Sequence, residues 1–118
     1  MVGQSSGRFG SEPLPVYPYP KLIQDRERGD RLAKTLGDRT AVLLRGHGLA
    51  VAGREIKETV VRTMELERNG RLLQQALAMG QGEPRYWTAE EAAEWADMRT
   101  TAAGGNRAWE YYTTRPPR

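Results

Sequence analysis

The spacing of apolar residues changes along the chain, and each change predicts a different element. Gly29, Leu32, Ala33 and Leu36 fall at i, i+3, i+4 and i+7, the period of a helix face resting on a core. Asp25 stands where a helix N-cap belongs and Gly37 where a C-cap belongs, so a short amphipathic helix is predicted between them. Thr40-Ala41-Val42-Leu43-Leu44-Arg45 and Leu49-Ala50-Val51-Ala52 are short apolar runs separated by Gly46-His47-Gly48. They predict two strands joined through a tight, glycine-flanked turn, and their near-continuous apolarity predicts that both faces of the pair are covered. From Glu55 to about Met79 the period is helical again, with Ile56, Val60, Met64, Leu73 and Leu77 on or near one stripe and charges elsewhere. This long helix should pack on the strand pair and end at Gly80. Gly70 in its interior costs about 1 kcal/mol relative to Ala and marks a weak point or a close helix approach.

The ends of the chain read differently. From Met1 to Pro20, Gly and Pro alternate with Ser and Tyr, which predicts an extended or irregular connector or a strand edge. After a loop at 81–85, Thr88-Ala89-Glu90-Glu91 has the spacing in which Thr and Glu cap each other's backbone donors, so a helix should run from Ala89 to about Arg99. Thr100 to Gly105 should break it, Arg107 to Tyr112 should form a last turn, and Arg115-Pro116-Pro117-Arg118 is a basic tail that should fray. No repeat, heptad array or low-complexity tract interrupts this order.

Composition narrows the function more than the fold. The 118 residues amount to about one domain or part of one, and 38% hydrophobic content can fill a small core. Eighteen Lys and Arg against fifteen Asp and Glu leave only +3, spread along the chain, so nucleic-acid binding is not indicated. With no cysteine, disulfides, thiolate metal sites and thiol nucleophiles are excluded, leaving His and carboxylates as metal ligands. The first eight residues lack a signal-peptide core, and no run approaches the roughly 18 apolar residues of a membrane span. The expectation is a soluble, cytoplasmic chain with no membrane partner.

The single histidine, His47, lies between two glycines at the end of a buried strand. The glycines permit positive φ and close approach of another group, while the strand fixes the base of the side chain, a setting for a metal ligand or general base. A histidine hydrogen-bonded inside a turn is the plainer alternative. Glu65, Glu67 and Arg68 read as a solvated or pairing helix face, although Glu67 lies close to the apolar stripe. Trp109, Tyr111 and Tyr112 could cover a pocket or a subunit contact, or simply pack a terminal helix, and Tyr17 and Tyr19 between prolines read as edge packing. No phosphate-cradling loop and no hydrolase triad is present.

Taken in order, Pro15-Val16-Tyr17-Pro18-Tyr19, Leu36-Gly37-Asp38, Ala41 to Gly48, Val51-Ala52-Gly53-Arg54, Leu66-Glu67 and Thr88-Ala89-Glu90-Glu91 resemble the C-terminal half of class II aldolase/adducin domains. The resemblance runs from about residue 12 to about residue 98. It divides the chain into a connector or edge segment at 1–20, that half-domain at 21–99 and a tail at 100–118. The fold it implies is α/β, part of a three-layer α/β/α sandwich around a mostly antiparallel sheet, assembled as a homo-oligomer with sites between subunits. Members include sugar-phosphate aldolases, an epimerase, a dehydratase and decarboxylases, working through a divalent metal, commonly zinc, held by three histidines.

Carried over residue by residue, only the third of those ligands falls in this sequence, on His47. The H-x-H pair, the acidic proton carrier and the phosphate-binding segments of the family have no counterpart here, so one imidazole is expected to hold metal poorly without a complementing N-terminal segment. The second ring nitrogen of His47 should donate to a backbone carbonyl or carboxylate that orients the ring. In some family aldolases a tail tyrosine assists the site, which places Tyr111 and Tyr112 as catalytic candidates by resemblance. The implied substrates are a small hydroxy acid, an aromatic acid or a sugar phosphate. The Trp109-Glu110-Tyr111-Tyr112 ending looks more like the decarboxylase branch, which sets decarboxylation slightly ahead of aldol cleavage. The alternatives are a non-catalytic, adducin-like assembly module and an inactive fragment.

Overall fold

The computed structural model describes residues 12–80, 82, 84–98 and 103–114. Along the chain it places β1 (Val16–Tyr17), α1 (Arg26–Leu36), β2 (Ala41–Leu44), β3 (Gly48–Val51), α2 (Ile56–Ala78), α3 (Ala89–Met98) and α4 (Ala103–Thr114). Helix α1 starts where the Asp25 carboxylate accepts the Arg28 N–H at 2.8 Å. It stops at Gly37, whose positive φ of 54° turns the chain while its N–H bonds the Ala33 carbonyl at 2.9 Å.

The three strands form one sheet in the order β1-β2-β3. Strands β2 and β3 are antiparallel, with Ala41 opposite Val51 and Leu44 opposite Gly48. Strand β1 runs parallel to β2, with Val16 beside Leu43 and Tyr17 beside Leu44. The described strands thus divide between one parallel and one antiparallel pairing, where the resemblance implied a mostly antiparallel sheet. The Pro-rich segment suits an edge: Pro15 and Tyr17 contribute carbonyls that accept from Leu43 N and Arg45 N at 2.9 and 3.1 Å.

Alternation sends side chains to two faces. Ala41, Leu43, Leu49 and Val51 share one face with Val16, and there Leu66 of α2 packs on Ala41 beside Leu14 and Val51. Tyr17 and Val42 look the other way and are buried almost completely. Helix α1 packs on that side, its Arg28 and Arg31 lining the same cleft as Tyr17. The described architecture is therefore a mixed α/β unit in which helices sit against a small sheet. Among the described residues no helix is long and apolar enough to cross a membrane.

Three expectations need correction. The strand pair is not covered throughout: Leu43 and Leu49 are 38% and 37% exposed, because α2 closes over the Ala41 and Val51 end and leaves the other end open. The stripe proposed for α2 reaches the sheet side only at Leu73, which lines the groove between the helix and the sheet. Its buried residues are Val61, Leu66 and Asn69, whereas Ile56 and Leu77 are exposed. Val60 and Met64, at i+3 and i+7 from Lys57, share the side on which Lys57 Nζ bonds Asn106 Oδ1 of α4, so α2 carries two packed sides rather than one stripe. Finally, the break expected over Thr100 to Gly105 extends no further than residue 102, since α4 already begins at Ala103. Packing against α2 outweighs the low helix propensity of Gly104 and Gly105. The tail at 115–118 lies outside the described residues.

Candidate functional site

The connection between β2 and β3 is three residues, Arg45-Gly46-His47. The His47 N–H bonds the Leu44 carbonyl at 3.0 Å, closing a β-turn whose third position, Gly46, has φ 78°. A positive φ at that position is what a type II turn requires, and Gly supplies it without Cβ strain. Gly48 follows at φ 122°, so His47 is carried between two residues in conformations that other side chains rarely adopt. The hairpin presents it on the surface.

The imidazole is oriented by a distant carbonyl. His47 Nε2 lies 2.6 Å from the Pro20 oxygen, 27 residues away in sequence. A carbonyl only accepts, so Nε2 donates, and in the neutral ring Nδ1 then keeps the lone pair. Arg45 reaches toward the same strand, its Nη1 donating to the Pro18 carbonyl at 3.5 Å. The hairpin tip is thus braced against the segment that leaves β1.

That segment forms one wall of a cleft of about 310 Å³, completed by residues from the start of α1. Tyr17 forms its floor, with its ring edge-on to Tyr19 at 5.3 Å between centroids. The Arg31 guanidinium lies 5.6 Å from the Tyr19 centroid and pairs with Glu27. The hydrogen bond to Glu27, then its charge, holds the Arg31 pKa above its ordinary value, so the guanidinium stays cationic. Arg28 braces the turn instead, through Asp25 at 3.2 Å and the Leu22 carbonyl at 2.8 Å.

The other sequence candidates lie elsewhere. Tyr111 and Tyr112 stand on α4, about half exposed, their rings edge-on at 5.1 Å. None of the residues lining the cleft beside Pro20 comes from α4. Glu67 bonds Arg71 Nε at 2.8 Å, an exposed i,i+4 pair of the solvated kind expected for that face. Among the described residues, no three His, Cys, Asp or Glu side chains come together as a metal-holding group. Since a catalytic zinc takes three protein ligands, the donor set of these residues does not by itself fit a complete metal site.

Sequence reasoning missed Pro20 as the partner of His47 and the cleft that Tyr19, Lys21 and Arg31 line. The alternation of Tyr17 and Tyr19 was a usable signal, because residues two apart on an extended segment share a face. Nothing local pointed to Pro20.

The comparisons with known proteins bear on the family and not on the geometry of His47. The family model described as the Class II Aldolase and Adducin N-terminal domain matches residues 1–73, and the chain belongs to the class II aldolase/adducin family. Among individual relatives, the 3,4-dihydroxyphthalate decarboxylase of Terrabacter sp. (strain DBF63) is 33% identical over 104 residues, covering 86% of this chain and 42% of the relative. The protein of the same name from Arthrobacter keyseri is 32% identical over 73 residues, 62% of this chain and 29% of that one. A third, from Rhodococcus jostii (strain RHA1), is 25% identical over 104 residues, 86% of this chain and 41% of its own. The chain therefore spans less than half the length of the curated relatives it matches. No solved structure matches it significantly.

Proposed function

We propose that this chain is part of a lyase that decarboxylates an aromatic acid, and that His47 belongs to its active site. The observation that carries the reading is the agreement of three relatives, from three organisms, on one reaction over 73 to 104 aligned residues. The presentation of His47, held between positive-φ glycines with Nε2 fixed on Pro20, supports a role that needs an oriented imidazole. In this reading the domain is completed, by a complementing segment and by further copies, into a three-layer sandwich with the site at its junctions.

Decarboxylation breaks the bond between ring carbon and carboxylate. The ring carbon is protonated first, using negative charge that an adjacent hydroxyl oxygen carries once deprotonated; carbon dioxide then leaves, and the electron pair of the broken bond restores the aromatic ring. A divalent metal, zinc by resemblance, supplies Lewis-acid stabilisation of that negative charge when bound. His47 is the ligand this chain contributes, and the remaining ligands come from the complementing segment. Tyr111 and Tyr112 enter as candidate proton donors, supported by their exposed phenols on α4.

The test joins the chain to a candidate complementing segment bearing an H-x-H pair and follows release of carbon dioxide from 3,4-dihydroxyphthalate. His47→Ala should lower turnover by at least the roughly 100-fold upper range seen when a residue supporting a metal site is lost. Turnover that survives the substitution would remove His47 from the site.

A second reading is an adducin-like assembly module, favoured by a groove of about 730 Å³ between the open end of the sheet and α2. Val16, Leu43 and Leu49 line it and are between 37% and 53% exposed, an apolar surface of the sort that marks an interaction face. A complementing segment seated there serves either reading. Turnover in the completed assembly decides between them.

A further inference from the structure

The geometry points to the cleft between β1 and α1 as a binding subsite for an aromatic carboxylate, with Lys21 and Arg31 receiving the acid and Tyr19 flanking the ring. The inference rests on the decarboxylase reading for its relevance to catalysis, but its argument is local. The cleft measures about 310 Å³, at the lower end of the roughly 300 to 1,000 Å³ of pockets that hold small ligands, so it suits a single-ring compound. Tyr17 is buried, so the ring surface that a ligand entering the cleft can meet is that of the half-exposed Tyr19.

Charge decides which aromatic compound fits. Two of the three cations lining the cleft are matched, Arg28 by Asp25 and Arg31 by Glu27. Lys21 has no ion pair among the described residues, and Arg45, bonded to the Pro18 carbonyl behind the same wall, has none either. The cleft is therefore short of negative charge. An anion entering it would meet the Lys21 ammonium as a free point charge and the unused N–H groups of Arg31, one edge of whose guanidinium is taken by Glu27. Tyr19 lies beneath that guanidinium, which fixes the donor plane beside the ring surface.

Position links the subsite to His47. Pro20 lines the cleft and its carbonyl accepts from His47 Nε2, so one backbone segment forms the cleft wall and orients the imidazole. An acid seated on Lys21 and Arg31 would press on the segment that sets the ring. The cleft is thereby placed as a recognition subsite beside the reacting centre, and Lys21, Arg31 and Tyr19 as specificity residues.

The test titrates the full chain with phthalate, which has the ring and adjacent carboxylates but no hydroxyls, and follows backbone and His47 ring signals by NMR. Shifts centred on Tyr19, Lys21 and Arg31, with a smaller displacement at His47, are expected. Lys21→Ala and Arg31→Gln should each weaken binding about tenfold, equal to about 1.4 kcal/mol. Both side chains are largely exposed, and unchanged amide spectra would show that the variants remain folded. Cyclohexane-1,2-dicarboxylate, equal in charge but without the flat ring, should bind more weakly than phthalate. Absence of phthalate binding, shifts confined to other surfaces, or wild-type affinity in both variants would overturn the subsite. Equal binding of sulfate and phthalate would overturn its preference for an aromatic acid. Phthalate bound as expected in a chain whose completed assembly releases no carbon dioxide would sink the decarboxylase reading and leave the subsite standing.

Discussion

At the scale of single residues, the account turns on positions where the backbone leaves little choice. Gly53 is one: a Cβ built there would lie 2.5 Å from Thr59 Oγ1 and 2.9 Å from the Thr59 nitrogen. The hydroxyl can rotate but the backbone cannot, so Gly53→Ala should destabilise the chain by about 1–3 kcal/mol, the range for overpacking. Adding Thr59→Ala should recover only part of the loss, and urea unfolding of the single and double variants measures both. Full recovery would place the conflict in the side chain alone. His47 and its flanking glycines were legible in the sequence because a lone imidazole between two glycines is a local pattern. Its bond to Pro20 was not, since a contact across 27 residues depends on β1 settling parallel to β2, and no local spacing encodes that. An orienting backbone carbonyl or carboxylate was expected for His47 as a metal ligand by resemblance; which group it is was not legible.

Whole elements were read best where their ends carry chemistry of their own. Asp25 and Gly37 bracket α1 as the sequence suggested, and the Thr88 and Glu91 pair closes as a reciprocal cap, with Thr88 N to Glu91 Oε2 at 2.8 Å and Glu91 N to Thr88 Oγ1 at 3.2 Å. Thr88→Ala should therefore cost α3 about 1 kcal/mol, with loss of protection from hydrogen exchange at the Glu91 amide as the readout. Unchanged protection there would show that the cap does not hold the helix. Helix α2 was legible in extent and only partly in phase: its sheet-facing side joins Leu66 and Leu73 to the polar Asn69, while Val60 and Met64 turn to the Lys57 side. Its start is also held by tertiary bonds that a local reading cannot see. Arg62 pairs with Glu58 at 2.6 Å and donates to the Ala52 carbonyl at 2.7 Å, tying the helix to the end of β3.

For the molecule as a whole, the open end of the sheet is the feature that matters most. The apolar runs of β2 and β3 resembled strands covered on both faces, yet Leu43 and Leu49 remain over a third exposed beside α2. Such a run reports the burial a strand is built for, and a single chain need not supply it. Leu49→Glu should leave the fold intact, raise solubility and lower association with a complementing segment by at least tenfold, as light scattering of the mixture would show; unchanged association would move the contact off this face. The measurement that tests the central claim most directly is the zinc content of the assembly formed with an H-x-H-bearing segment, compared between wild type and His47→Ala. The account predicts zinc retained through gel filtration by the wild type and lost in the variant, whereas equal zinc in both would contradict a metal site that includes His47.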